Sequence, residues 1–319
     1  MNLRNLINKI LKLVKMFDVL SKFTKKNGNI CFEESEHRYW DATRPEAQYI
    51  SVTTLIGKFE QPFDKEFWSA YKALEQLIPM DSWKIEKKSL LASKKFNKEL
   101  LDVYEIPEVK FNEVQQSILD GWQDENKKSC DRGTKIHAKL EEYFYGKGKD
   151  ISLKKFGVGG KFECRKDYTD LDLDYGVYPE YLIAVTKDNL NLAGQIDLLV
   201  KNGNEITIID HKTNKEIKLK SVYNPYTKSA TKMKYPLNNL DDVNYNHYQL
   251  QLSTYAWMLQ QLNPNFIIKD LILNHYDHNN KNTIYHCDYL KDEVEKMLNF
   301  YKKELIREQQ REKRKPIEY

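Results

Sequence analysis

Asp197, Asp210 and Lys212 have types and spacing that suit chemistry, because two carboxylates can hold a cation and an amine can act beside it. All three lie in the segment LAGQIDLLVKNGNEITIIDHKTN, in which two apolar runs flank Asn202-Gly203. This dipeptide supplies the positive φ angles of a tight two-residue turn. The segment is therefore predicted to be a β-hairpin.

The pairing of the two strands decides whether these side chains meet. With the Asn-Gly dipeptide as the turn, Asp210 lies opposite Gln195 and one diagonal step from Asp197. Side chains alternate along a strand, so one face of the hairpin carries Gln195, Asp197, Asp210 and Lys212. Diagonal neighbours lie roughly 7–8 Å apart, so the two carboxylates are predicted to share one cation, with the lysine beside it.

A structural ion pair is the alternative to a metal site. Apolar residues surround both aspartates, which indicates a central strand pair covered on both faces. Burying two carboxylates there without a cation or hydrogen-bond donors would cost several kcal/mol. The hairpin alone leaves both explanations open.

His137 is the first candidate for a further ligand. It lies in DRGTKIHAKLEEYF, a helical pattern in which Glu141 follows one turn later and points the same way. A lone histidine on a helix commonly has only a packing role. A hard divalent cation held by carboxylates, however, accepts an imidazole as an additional ligand.

Gln251 and Tyr255 lie one helical turn apart in HYQLQLSTYAWML. They either belong to a core-facing stripe, or they place an amide and a phenol where they orient the lysine or touch substrate. Glu180, in VYPEYLIAV, lies on a strand that enters the sheet. It is either a further acidic group near the metal or a solvated edge residue.

The elements that must position these residues form a mixed pattern. Helices are predicted over most of 82–146, with a break near Ile106-Pro107, and no internal repeat is present. Short strands are predicted over 30–40 and 48–52, and a helical region over about 62–77. After residue 146 the predicted elements are a strand over 178–186, the hairpin, a helix over 246–262, strands over 267–275 and 283–289, and a helix over 291–314. This order predicts an α/β (α+β) fold with a central mixed sheet flanked by helices.

Composition excludes several classes of protein. The 319 residues carry 51 basic and 47 acidic side chains, and a net charge of +4 does not by itself require a nucleic-acid partner. Four scattered cysteines without a C-x-x-C pair argue against a zinc finger or a disulfide framework. No apolar run approaches a membrane span. A cytoplasmic protein without a membrane partner is expected.

The first seventeen residues form an apolar stripe at helical spacing, interrupted by basic residues. These charges argue against a secretion signal. A helix of this kind binds a membrane, acts as an organelle presequence, or packs on its own domain. We expect packing.

Four separated pieces, in this order, resemble the RecB-type branch of the PD-(D/E)XK nuclease superfamily. They are RGTKIHAKLEEYF, PEYLIAV, LAGQIDLLV with ITIIDHKT, and QLSTYAWML. The resemblance covers roughly residues 130–262. It implies a restriction-endonuclease-like core at 129–319 with a C-terminal helix. Residues 1–128 would be an N-terminal elaboration of helices and strands, and a candidate substrate-binding region.

The resemblance also implies roles for the residues already singled out. His137, Asp197 and Asp210 would bind Mg²⁺ or Mn²⁺, and Lys212 would be the catalytic lysine. The Gln-x-x-x-Tyr motif would be Gln251 and Tyr255. Glu180 matches a less uniform acidic position of the family. The carbonyl of His211 is a further candidate oxygen ligand.

Two departures from larger relatives narrow the expectation. Some relatives hold an iron–sulfur cluster through three cysteines near the carboxyl end, but here Cys287 alone follows the metal motifs, so no cluster is expected. The chain also has no G-x-x-x-x-G-K-[ST] phosphate loop of a helicase. It resembles a stand-alone nuclease of the sort that bacteriophages encode, which would act in host cytoplasm.

The residues and the resemblance together predict metal-dependent DNA cleavage, with exonuclease action favoured over endonuclease action. A non-catalytic nucleic-acid-binding subunit and an RNase are the alternatives. Lysines that interleave with tyrosines after the hairpin would contact single-stranded DNA or duplex ends. They are Lys215, Lys218, Lys220, Lys228, Lys232 and Lys234, with Tyr223, Tyr226 and Tyr235. A homo-oligomer or a replication or recombination protein is a further possible partner.

Overall fold

A central mixed sheet of six strands organises the molecule. The computed structural model describes residues 24–33, 36, 38–165, 173–225 and 228–312. The sheet runs in the order β13, β12, β9 and β8, and β8 also pairs with β7 and with the short β4. Its strands are β4 (Ile50–Ser51), β7 (Gly176–Lys187), β8 (Leu190–Asn202), β9 (Glu205–Lys212), β12 (Ile267–Tyr276) and β13 (Asn282–Cys287).

Both parallel and antiparallel pairs occur in this sheet, as the sequence predicted. Strand β9 is antiparallel to β8 and parallel to β12, and β4 is parallel to β8. Smaller antiparallel sheets lie outside it. They are β1 (Thr24–Asn27), β2 (Ile30–Glu33) and β3 (Arg38–Asp41); β5 (Ile151–Leu153) with β6 (Val158–Phe162); and β10 (Tyr223–Asn224) with β11 (Ser229–Ala230).

The hairpin of β8 and β9 forms as predicted, but its predicted register is wrong. Asn202 pairs with Glu205, so the turn consists of Gly203 and Asn204, and Asp210 is not opposite Gln195. The physical reason is the backbone of Gly203, whose φ of 59° suits the first central position of a two-residue turn. The register moves by two residues, which preserves the face on which every side chain lies.

Both faces of the sheet are covered, which explains the apolar runs around the aspartates. Ile208 lies in the core beneath one helix, α6 (Asn244–Leu262), while its neighbour Ile209 packs on the opposite face with Phe144. Six of the eight residues of β9 are buried. The polar side chains of this hairpin therefore project into a largely dry environment beside α6.

The helices include one that runs through the predicted domain boundary. Helix α5 (Glu108–Lys147) begins after Pro107, at the predicted break, and continues for 40 residues past residue 128. The other helices are α1 (Val52–Gly57), α2 (Lys65–Leu77), α3 (Met80–Ser93), α4 (Glu99–Val103) and α7 (Lys291–Glu312). No linker separates the two predicted regions at residue 128.

The N-terminal elaboration has a small core of its own. Aromatic and aliphatic side chains of α2 to α4, including Tyr71 and Trp83, pack against Phe111 near the start of α5. The predicted amphipathic helix within the first seventeen residues lies outside the described residues. Within the described part of the chain, no helix is long and apolar enough to cross a membrane.

Ile208 offers a test of the core between the central sheet and α6. Because its side chain is fully buried in the central strand, Ile208→Ala should lower the free energy of unfolding by about 2–5 kcal/mol. Ile306→Ala, at an exposed position of α7, should change it by less than about 0.5 kcal/mol. Urea denaturation measures both, and equal losses would contradict the proposed packing.

Candidate active site

Three carboxylates form a row across neighbouring strands of the sheet. The registers of β7 with β8 and of β8 with β9 bring Glu180, Asp197 and Asp210 to adjacent positions. All three are buried or half-buried. The row continues the predicted hairpin face and adds β7 to it.

The backbone of Glu180 is unusual for a residue inside a strand. Its φ is 52°, in the left-handed region, and the ladder between β7 and β8 is interrupted at this residue. A non-glycine residue in this region costs about 1–3 kcal/mol, and such strain concentrates at functional sites. Gln195 donates a hydrogen bond from Nε2 to Glu180 Oε2, which orients the carboxylate.

His137 on α5 completes a group of three with two of these acids. Its Nδ1 lies 3.6 Å from Asp197 Oδ2 and 4.0 Å from Glu180 Oε1. One ligand atom from each of the three residues lies within 4.8 Å of the others. An imidazole nitrogen and two carboxylate oxygens are thus gathered around one point.

His211 joins this group through its backbone. Its N–H donates to Asp197 Oδ2 at 2.6 Å, and its carbonyl oxygen lies 3.0 Å from His137 Nε2. The His211 ring lies on the other face of the sheet, where Nδ1 is 2.9 Å from Asn274 Nδ2. Burial, with the nearby His137, lowers the pKa of the His211 ring to about 3, so the ring is neutral at physiological pH.

Asp210 lies with Lys212 and Gln251 instead of with His137. Lys212 Nζ is 2.8 Å from Asp210 Oδ2 and donates to Gln251 Oε1 at 3.2 Å. Gln251 in turn donates from Nε2 to Asp210 Oδ1 at 3.2 Å. The carboxylate, the ammonium and the amide therefore form a closed ring of contacts between β9 and α6.

The charge of Lys212 is stabilised by its surroundings. Burial lowers the pKa of this lysine, but the Asp210 and Asp197 carboxylates outweigh burial, and the pKa is raised above its usual value. Lys212 is therefore an ammonium at neutral pH. It can donate hydrogen bonds and offset negative charge, but it cannot accept a proton.

Gln251 and Tyr255 are buried, and their contacts are with the protein. The Gln251 amide nitrogen donates to the Tyr255 hydroxyl at 3.3 Å, and Tyr255 is 3% exposed. The Tyr255 ring lies directly over Gly194, where an added Cβ would be 2.5 Å from Cε1. Only glycine at position 194 lets α6 lie so close to β8, and this closeness brings Gln251 to Lys212 and Asp210.

The residues present fit a hard divalent cation. Mg²⁺ and Mn²⁺ prefer carboxylate and carbonyl oxygens and accept imidazole, the donors found at His137, Glu180, Asp197 and the His211 carbonyl. Among the residues that the structure describes, no donor makes a well-aligned hydrogen bond to the buried Asp210 Oδ2. That oxygen has only the lysine ammonium to offset its charge.

N-terminal residues contribute one wall of the site, at positions that no sequence motif singled out. A cavity of about 250 Å³ adjoins the acidic group and is lined on its other side by Phe32, Tyr39 and Thr53. Burial and the nearby Glu180 carboxylate raise the pKa of Tyr39, so its phenol stays protonated. No local pattern predicts this contact, because β3 and β7 are far apart along the chain.

The predicted basic segment is only partly free to bind. Lys215 is exposed, whereas Lys232 pairs with Asp241 at 2.6 Å and Lys234 donates to the Lys58 carbonyl at 3.3 Å. Tyr223 and Tyr235 are exposed, at 59% and 69%. Tyr226 lies outside the described residues.

A family model decides the assignment of the chain to a superfamily. The model described as the PD-(D/E)XK nuclease superfamily matches residues 155–317, just over half of the chain. The chain belongs to this superfamily. The matched segment contains Glu180, Asp197, Asp210, Lys212 and the Gln251–Tyr255 pair, while His137 and Tyr39 precede it.

Solved structures give a weaker similarity. A crystal structure of a candidate exonuclease from Eubacterium rectale is 13% identical, over 81% of this chain and 79% of that chain, with a TM-score of 0.31. The structure of a protein named SSO0001 is 12% identical over 79% of this chain and 73% of that chain, with a TM-score of 0.29. No curated protein matches the chain.

Gly194 provides a test of the approach of α6 to β8. The Cβ of Gly194→Ala would collide with the Tyr255 ring, so the variant should lose about 1–3 kcal/mol of stability. Chemical denaturation measures the loss. Combining Gly194→Ala with Tyr255→Leu should cost less than the sum of the two single changes, because the ring that collides is gone.

Gly121→Ala is the matched control, since nothing lies within 4 Å of the added Cβ in the middle of α5. Alanine there should leave the free energy of unfolding unchanged or raise it. If Gly194→Ala left the stability unchanged, or if the losses in the double variant were additive, the packing of the Tyr255 ring would not require glycine at position 194.

Proposed function

We propose that this protein is a divalent-metal-dependent DNA nuclease of the RecB-type branch that hydrolyses phosphodiester bonds and acts as an exonuclease. The observation that carries the proposal is the position of Lys212, held by Asp210 and Gln251 beside a separate group of metal-ligand type. Hydrolysis of a phosphodiester needs a positioned water and positive charge near the phosphorus. The Lys212 ammonium and a cation bound to the neighbouring group would position the water and supply the positive charge.

His137, Glu180 and Asp197 would hold the cation, with the His211 carbonyl and Asp210 as further oxygen ligands. Mg²⁺ or Mn²⁺ bound there would polarise the phosphate and acidify a neighbouring water. Support comes from the chemistry of the donors and from their convergence within 4.8 Å for the first three. No iron–sulfur cluster enters the proposal.

Lys212 would donate hydrogen bonds to the attacking water or to a phosphate oxygen. Its raised pKa supports this role, because a permanent ammonium stabilises the negative charge that develops on phosphate oxygens. A general-base role is disfavoured for the same reason. Gln251 and Tyr255 would position the lysine, since their polar atoms contact protein groups.

DNA would approach along the face that carries Lys215 and the exposed Tyr223 and Tyr235. Lysines meet phosphates, and tyrosines stack on bases that are not paired, which suits a single strand or a frayed duplex end. The biological setting that we propose is phage DNA replication, recombination or processing in host cytoplasm, alone or with a protein partner or a second copy. Its basis is the similarity of the motifs to stand-alone phage nucleases.

Lys212→Ala tests the proposed chemistry. With Mg²⁺ or Mn²⁺, the wild type should degrade end-labelled linear DNA, and the variant should be slower by at least about 10²-fold, because the charge beside the phosphate is gone. Lys201→Ala, on the same hairpin but with its ammonium on the Gly203 carbonyl, is the matched control and should keep full activity.

The substrates separate the alternatives. Circular DNA should stay intact under an exonuclease, so its cleavage would indicate an endonuclease, and cleavage of RNA alone would indicate an RNase. Binding of DNA without any cleavage would identify a non-catalytic subunit and refute the proposal. Equal rates for Lys212→Ala and the wild type would remove the lysine from the mechanism.

Asp197→Asn tests the metal site separately from catalysis. The substitution keeps the shape and an oxygen that accepts from His211 N, but removes the charge, so Mn²⁺ affinity in calorimetry should fall by at least about tenfold. A chelator should abolish DNA cleavage by the wild type. Asp188→Asn, at a turn residue paired with Lys302, should bind Mn²⁺ normally; equal affinities for both variants would place the ion elsewhere.

A further inference from the structure

Tyr248 contacts the proposed catalytic lysine although no motif includes it. It lies on α6 three residues before Gln251, so the two side chains emerge on the same face of the helix. Lys212 Nζ lies over the Tyr248 ring, 4.5 Å from its centroid. At this distance a ring attracts an ammonium through its negative face.

The Tyr248 ring lies against one side of the ammonium and leaves another side open. Among the described residues, the oxygen partners of Lys212 Nζ are Asp210 Oδ2, through an ion pair, and Gln251 Oε1, through a hydrogen bond; an ammonium has three N–H donors. An aromatic face holds the charge without accepting a strong hydrogen bond. A phosphate oxygen or a water can therefore take the third N–H, whereas a carboxylate at this place would compete for it.

Tyr248 is itself anchored to the segment that follows the lysine. Its hydroxyl donates to Asn214 Oδ1 at 2.7 Å, and the Asn214 carbonyl lies 2.8 Å from His275 Nε2. Burial raises the pKa of Tyr248, so the hydroxyl remains a donor. The ring is thus tied to the segment that follows β9, the strand that carries the lysine, and to the neighbouring strand β12.

We propose that Tyr248 is a positioning residue that holds the Lys212 ammonium in place through its ring, with one N–H left for substrate. The inference rests on the proposed nuclease function. A lysine has a flexible four-carbon stem, so its ion pair with Asp210 and its hydrogen bond to Gln251 alone leave it free to swing toward solvent. The Tyr248 ring blocks this movement of the lysine side chain.

Two variants separate the ring from the hydroxyl. Tyr248→Phe keeps the ring and should retain kcat within about threefold, because only the contact with Asn214 is lost. Tyr248→Leu removes the ring and should lower kcat about tenfold with KM little changed, the factor expected for a partly buried cation–π contact. Tyr248→Met, of similar bulk without a ring, should behave as Tyr248→Leu does and replaces it if that variant unfolds.

A measurement without substrate keeps the inference independent of activity. In protein labelled at lysine ¹³Cε, the ring should shift the Lys212 signal upfield, and the signal is assigned by its loss in Lys212→Arg. The shift should persist in Tyr248→Phe and disappear in Tyr248→Leu. Tyr245→Leu is the matched control, because that ring is on the same helix and packs 6.3 Å from the Tyr285 ring; it should preserve both the shift and kcat.

The outcomes distinguish this inference from the proposed function. A wild type that never cleaves DNA refutes the nuclease proposal, whatever the spectra show. A wild type that cleaves, with equal kcat and an unchanged Lys212 signal in Tyr248→Leu, refutes positioning by the ring. A rise in KM alone would make Tyr248 a surface for substrate and would overturn the inference as well.

Discussion

The buried carboxylate of Asp210 is the constraint on which the rest of the site depends. It is 2% exposed in the middle of the sheet, where an uncompensated charge would cost several kcal/mol. Lys212 supplies the opposite charge from the same strand, and Gln251 supplies an amide that contacts both. The amide reaches them only if α6 lies close to the sheet. That closeness requires Gly194, because a side chain there would meet the Tyr255 ring.

The division of charge on this face supports the cation that we propose beside the lysine. Three carboxylates lie in a row, and the one ammonium among them is engaged by Asp210. Glu180 and Asp197 have an imidazole and the polar hydrogens of neighbouring groups among their contacts. The divalent ion that we propose would offset the negative charge of these two half-buried carboxylates. Lys212 thus contacts Asp210, whereas the group of metal-ligand type consists of His137, Glu180 and Asp197.

Local sequence patterns predicted most of the fold and the strand face on which the candidate site residues lie, because alternation and helical spacing are properties of short segments. Gln251 was found this way, and so was the hairpin, although its register depended on the φ of Gly203, which composition does not reveal. Glu180 could not be assigned, since its carboxylate is directed by a left-handed backbone inside a strand. No sequence pattern indicated Tyr39, because its contact with the site joins elements that are far apart along the chain.

His137 precedes the segment that the superfamily model matches, yet side-chain hydrogen bonds attach its helix to the strands of the central sheet. Arg132, five residues earlier on α5, donates to the Thr213 carbonyl at 2.6 Å and to the Tyr276 carbonyl at 3.3 Å. These carbonyls lie at the ends of β9 and β12, so a slide of the helix would break charge-assisted hydrogen bonds. The same attachment brings the His137 ring to the His211 carbonyl. The long helix therefore belongs to the site as much as the sheet does, and a nuclease core that began at the matched segment would lack its imidazole.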